Sequence, residues 1–114
     1  MRRLLIVAVA ALTLASCGSS NALYSWYGYE KATYRYSKRQ TDELQAALLQ
    51  QYQKLISKQK NLRKVAPPGM YAEFGYLLYK TGKKGEGLNY LRQEIALYPE
   101  SETYISRIIK QLEK

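Results

Sequence analysis

The stretch that decides the fold is PPGMYAEFGYLLYKTGKKGEGLNYLRQEIALYPES, Pro67 to Ser101. Pro67, Pro68 and Gly69 interrupt whatever precedes them, because proline lacks a backbone donor and disfavours helix at the residue before it. Beyond that break Tyr71, Phe74, Leu78 and Tyr79 recur at helical spacing, and Leu88, Leu91 and Ile95 do so again further on. Gly82-Lys83-Lys84-Gly85 separates the two faces and reads as a turn, while Pro99 stops the second run. The stretch therefore reads as two helices joined by a glycine-bounded turn.

This pair resembles a tetratricopeptide repeat, a motif of about 34 residues. With Pro68 as its first position, Tyr71 takes the large-aromatic place, Phe74 and Gly75 the Leu-Gly pair and Gly82 the turn glycine. Gly87 then takes the small residue, Leu91 the bulky one and Pro99 the closing proline. The resemblance implies that Gly75 and Gly87 bring two helix backbones close together, with large residues filling the space around them. Three positions depart from it: Glu94 stands where the repeat usually has alanine, Leu78 where it usually has tyrosine, and Gly87 is weaker in a helix than alanine. One pair cannot bury its own face, so flanking helices have to cover it on both sides.

The flanking sequence supplies them. From Thr41, a suitable N-cap, Leu44, Ala47, Leu48, Tyr52, Leu55, Ile56 and Leu62 recur at helical spacing. Asp42 and Glu43 suit the positive start of that helix, and Lys58, Lys60, Arg63 and Lys64 its negative end. On the other side Glu100, Ser101 and Glu102 mark a start, Tyr104, Ile105, Ile108, Ile109 and Leu112 an apolar face, and Lys110 and Lys114 an end. The expectation is an all-α domain over residues 23–114, a short tetratricopeptide-like helical array of four to five helices. Residues 68–101 form its repeat and 102–114 its terminal capping helix.

The amino terminus has a different character. Arg2 and Arg3 precede an apolar run from Leu4 to Leu14, then small residues, which is the pattern of a cleaved signal peptide over residues 1–16. The run is too short to cross a bilayer as a permanent helix. Leu14-Ala15-Ser16-Cys17 resembles the lipobox of bacterial lipoproteins. That resemblance implies cleavage before Cys17 and acyl chains on it, a firmer anchor than any single reversible chain. Residues 17–22 become a lipidated tether of small residues. Gly18 replaces the aspartate that retains enteric-type lipoproteins at the inner membrane, which implies the outer membrane, on its periplasmic face.

Cys17 is the only cysteine and there is no histidine. An intramolecular disulfide, a His-based triad and a histidine metal site are therefore excluded, and no cofactor, metal or small-molecule substrate is expected. Without Arg2 and Arg3, sixteen basic residues face nine acids, so the net charge falls from +9 to +7. In the cytoplasm such a charge would suggest nucleic acid; export excludes that partner and leaves lipid head groups, cell-wall polymers or an acidic protein.

Twelve tyrosines stand against one phenylalanine, and five of them, Tyr24, Tyr27, Tyr29, Tyr34 and Tyr36, gather around Trp26. Tyr24, Tyr27 and Tyr34 with Lys31 fit one side of a helix that Gly28 disturbs. Amphipathic rings suit recognition surfaces and helix packing alike. Trp26, Tyr27, Tyr29, Tyr71 and Tyr79 are the candidate partner-contacting side chains, the last two lining a groove with the preceding helix. Packing between helices is the alternative for Tyr71, Tyr79, Tyr90 and Tyr104. The basic run KLISKQKNLRK, Lys54 to Lys64, reads either as a solvated helix end or as a dock for phosphates or an acidic partner. Glu73 and Glu94 are candidates for acid and base work, but no spacing singles out a pair. Glu94 has Arg92, Tyr71 and Lys80 as candidate partners instead, so no enzyme is expected.

Taken together, the lipobox, the aromatic LYSWYGYEKATYRY after it and the Pro67–Ser101 repeat resemble a family of small, functionally uncharacterised bacterial lipoproteins. Members are typically encoded beside a lipoprotein similar to the curli secretion channel and a second lipoprotein, which implies a three-component envelope complex. The resemblance implies a non-catalytic, protein-binding adaptor or accessory subunit of such a complex and transfers only Cys17 as a site. The rival expectation is a cell-wall or membrane-surface binding module that uses its basic helix.

Overall fold

Five α-helices follow one another within residues 22–114: α1 (Tyr29–Lys38), α2 (Asp42–Ser57), α3 (Met70–Lys80), α4 (Lys84–Leu97) and α5 (Glu102–Leu112). A 3-10 turn, Pro99–Ser101, separates the last two. The computed structural model describes residues 2–4, 6 and 22–114, and no strand occurs among them. The lipobox, Cys17 and the tether through residue 21 lie outside the described residues. The fold class is the expected one: an all-helical array built on a helix pair.

α3 and α4 make the closest pairing, and glycines are the reason. A Cβ on Gly75 would come within 2.5 Å of the Gly87 carbonyl oxygen, and one on Gly87 within 2.5 Å of the Gly75 carbonyl oxygen. Only hydrogen fits at either position, so the two backbones touch. Gly69 (φ +92°) and Gly82 (φ +101°) sit in the left-handed region at the start of α3 and in the α3–α4 turn. Leu48, Tyr52 and Leu55 of α2 pack with Ala66, Met70, Phe74, Leu77 and Leu78 in one apolar core. Ile105 is the only fully buried residue of α5.

Glu94, at the usual alanine position, is 1% exposed and accepts a hydrogen bond from the Ala72 amide at 3.3 Å. The residue that caps α3, Gly69, has no side chain to accept from the first-turn amides. Glu94 reaches across from α4 to do so, placing a carboxylate at the positive end of a helix dipole. Its expected partners Arg92, Tyr71 and Lys80 are not the ones it uses.

Three sequence expectations are corrected. α2 ends at Ser57, so Leu62 is not on its apolar face but 67% exposed, and Lys58, Lys60, Arg63 and Lys64 lie in a loop. The basic helix of the rival reading is therefore a basic loop. Its cause is tertiary: Gln59 and Asn61 turn their side chains to the backbone of Ser25 and Tyr24, which favours an irregular path over another helical turn. Tyr24 and Tyr27 precede α1 and share no helix face with Tyr34, because Tyr27 takes φ +48° and the helix begins at Tyr29. Tyr104, expected on the apolar face of α5, is 69% exposed.

Candidate functional site

One stripe of α3 runs along the bottom of an open groove of about 1410 Å³: Ala72, Glu73, Tyr76, Leu77 and Lys80. Tyr36 of α1 and Leu48 and Tyr52 of α2 contribute from one side, Tyr104, Ile105 and Ile108 of α5 from the other. The i, i+4 spacing of Ala72, Tyr76 and Lys80 puts them on one face, beside the Gly75 face that meets α4. Tyr76 and Tyr104 are 44% and 69% exposed, so their rings stand at the opening.

The floor is acidic although the chain is strongly basic. Glu73 Oε1 accepts from the Tyr29 hydroxyl at 2.7 Å and from the Tyr52 hydroxyl at 3.0 Å, which ties α1, α2 and α3 together at one oxygen. Burial, reinforced by Glu73, holds both phenols well above their ordinary range. Glu94 lines the same groove, and its Oε2 has no hydrogen-bond partner among the described residues. Burial pushes the Glu94 carboxyl upward, against the pull of the Ala72 and Gly69 amides, with Glu100 and Glu73 adding repulsion. A third carboxylate, Glu100, also lines the groove. Such a surface can take up an apolar segment that carries a hydrogen-bond donor or a cation, because a buried, half-satisfied carboxyl gains most from one.

The sequence candidates fall in three places. Tyr71 and Tyr79 do not line the groove: Tyr71 stacks on Tyr90 with ring centres 6.1 Å apart, and the Tyr79 hydroxyl donates to the Leu112 carbonyl at 2.6 Å. Both rings lie on the sides of α3 turned toward α4 and α5. Tyr29 serves the acidic network and joins a ladder of rings, Trp26–Tyr29–Tyr52–Phe74–Tyr90, whose neighbouring centres are 4.6 to 5.9 Å apart. Trp26 and Tyr27 sit at the far end of that ladder, 46% and 42% exposed and away from the groove. Cys17 lies outside the described residues. Tyr36, Tyr76 and Tyr104 were missed as groove residues. For all three the packing of neighbouring helices decides it: α4 and α5 cover the other sides of α3 and leave Tyr76 open, and the placement of α1 and α5 brings in Tyr36 and Tyr104.

Residues 23–108 match the model of a family described as a domain of unknown function, DUF4810. The chain belongs to the DUF4810 family. The DUF4810 match takes in the segment before α1, the groove and all but the last turn of α5. No curated protein and no solved structure matches this DUF4810 chain. Among its described residues no helix is long and apolar enough to cross a membrane.

Proposed function

We propose that this DUF4810 chain is an outer-membrane lipoprotein, held on the periplasmic face by acyl chains on Cys17, that acts as a non-catalytic adaptor. Its partner is another envelope lipoprotein, one similar to the curli secretion channel. The observation that supports this reading best is the groove: apolar walls, exposed tyrosines at the opening and an acidic floor with an unsatisfied oxygen. Those features suit a peptide or helix better than a reaction. Glu73 accepts from two phenols and Glu94 caps a helix end through one oxygen, so both carboxylates have structural roles in the groove. The acyl anchor would confine the domain near the membrane plane, and a weak groove contact gains effective concentration there.

The test is site-specific photocrosslinking in cells, with the crosslinker at Tyr76 or Tyr104 and, as a control, at Tyr34 on the far side of α1. The expected result is an adduct with an envelope lipoprotein from the groove positions alone, lost in a Cys17→Ala chain. Adducts of equal yield from Tyr34, or none from a helical and membrane-bound chain, would defeat the adaptor reading. Palmitate labelling of the wild type, absent in Cys17→Ala, tests the anchor separately.

A further inference from the structure

Another exposed surface lies outside the groove, at the Trp26 end of the aromatic ladder. Residues 22–28 and the loop after α2 are joined along their length. The Ala22 and Leu23 carbonyls accept from the Leu62 and Arg63 amides, at 3.5 and 3.2 Å. Gln59 bonds both the amide and the carbonyl of Ser25 at 2.8 Å. The Lys60 amide donates to Ser25 Oγ, the Asn61 amide group to the Tyr24 carbonyl and the Tyr27 hydroxyl to the Lys58 carbonyl. Two irregular segments thus form one ordered platform, with Tyr27 (φ +48°) and Lys64 (φ +53°) held in the left-handed region that bulky residues rarely adopt.

The side chains this platform exposes are of two kinds. Leu23, Trp26 and Leu62 are 51%, 46% and 67% exposed, and Leu23 and Leu62 come from segments paired to one another. Beside them Lys58, Lys60, Arg63 and Lys64 are all exposed. Among the described residues the one ion pair is Arg92–Glu113, so no carboxylate pairs with these four cations. Apolar and aromatic tips set among unpaired cations suit the boundary between anionic head groups and acyl chains, where tryptophan is favoured and each basic residue adds attraction. An anionic cell-wall polymer would use the cations and leave Leu23, Trp26 and Leu62 in water.

Chain length fixes which surface this platform meets. Four residues lie between Cys17 and Ala22, and the five Cα-to-Cα steps reach at most about 18 Å when fully extended. A chain acylated at Cys17 therefore enters the domain beside Leu23, within that distance of the head groups.

We propose that Leu23, Trp26 and Leu62, flanked by Lys58, Lys60, Arg63 and Lys64, form a docking face for the anionic phospholipid surface of the leaflet that holds the Cys17 acyl chains. This deepens the lipoprotein reading and rests on it for the source of the bilayer. Docking by this face turns the domain from a tethered body into an oriented one, and leaves the groove, which shares none of the residues of this face, free for a partner.

Trp26 is the only tryptophan and reports directly. The experiment uses the chain from residue 17 with Cys17→Ser, which retains every residue of the core. It is mixed with vesicles of phosphatidylethanolamine and phosphatidylglycerol, and with vesicles of phosphatidylcholine alone. A blue shift of Trp26 emission and co-sedimentation with the anionic vesicles only, weakened several-fold by raised salt, is the expected result. Lys60→Glu with Arg63→Glu should lower partitioning by at least about 25-fold, some five-fold for each cation lost. Leu62→Ser should reduce the blue shift, and Lys110→Glu, outside the face, should change nothing. Unchanged Trp26 emission with anionic vesicles, equal effects of Lys110→Glu and the loop reversals, or sedimentation with purified sacculi in place of vesicles would each overturn the proposal. Helical circular dichroism of every variant excludes unfolding as the cause. Because no partner protein is present, failure here leaves the groove crosslinking result intact, and failure there leaves this one.

Discussion

The α3–α4 hairpin and the platform formed by residues 22–28 with the loop after α2 are both held by close backbone approach, yet by opposite means. In the hairpin the contact is steric: Gly75 and Gly87 remove the side chains that would keep the helices apart, and buried Phe74, Leu78 and Leu91 fill the flanks. In the platform the contact is made of hydrogen bonds, and the side chains of Gln59, Asn61 and Ser25 replace the regular bonds that helices would have supplied. Burial makes the first rigid and indifferent to polar substitution at its rim. Exposure makes the second dependent on a few donors and acceptors in competition with water.

The largest break in that contrast comes from Gly75→Ala or Gly87→Ala. The new methyl would meet backbone atoms at 2.5 Å, which cannot swing aside as a flexible side chain can. Overpacking should cost roughly 3 kcal/mol, of which the gain in helix propensity returns about 1, leaving about 2 kcal/mol per site. Urea unfolding checks this, and the double variant should fail to give a cooperative transition. Next comes Glu94→Gln, which keeps an acceptor for the Ala72 amide and removes a buried charge. Because burial raises the Glu94 carboxyl in the folded chain, the native state holds that proton to higher pH than the unfolded one. Stability from this group is therefore full below about pH 4 and is lost as pH rises through the raised value. Urea midpoints from acid to neutral pH should fall in the wild type and stay flatter in Glu94→Gln, which should be the more stable of the two at neutral pH.

A smaller and local effect is expected of Gln59→Ala. It removes hydrogen bonds to the Ser25 amide, the Ser25 carbonyl and the Leu55 carbonyl, and should cost about 1 to 2 kcal/mol. Amide exchange should accelerate over residues 22–28 while α3 and α4 keep their protection; acceleration in both regions would mean that the platform and the hairpin are one cooperative unit. Smallest of all is Arg92→Ala, which removes an ion pair whose side chains are about half exposed, and which should shift stability by less than about 0.5 kcal/mol.

What was legible in the sequence was whatever depends on neighbours along the chain. The period of apolar residues in α2, α3, α4 and α5, the Thr41 cap that accepts from the Leu44 amide at 3.2 Å, the break at Pro67-Pro68-Gly69 and the spacing of Gly75 and Gly87 are all local signals. Each survives folding because a helix carries its own hydrogen bonds. What could not be read was whatever depends on partners far apart in sequence. Leu62 continued the α2 pattern, but the backbone of Tyr24 and Ser25 offered Gln59 and Asn61 better partners than another helical turn. Glu94 departed from the repeat with no visible reason until α4 was seen to cap α3 with it. Tyr71 and Tyr79 stood out in the sequence and Tyr76 did not, and only the direction in which α4 and α5 pack decided that Tyr76 faces the groove while the other two support it. The sequence by itself determined the helices, because their bonds are short-range; the tertiary structure alone decided which faces stayed open, because a face is covered only by residues that the chain brings back from a distance.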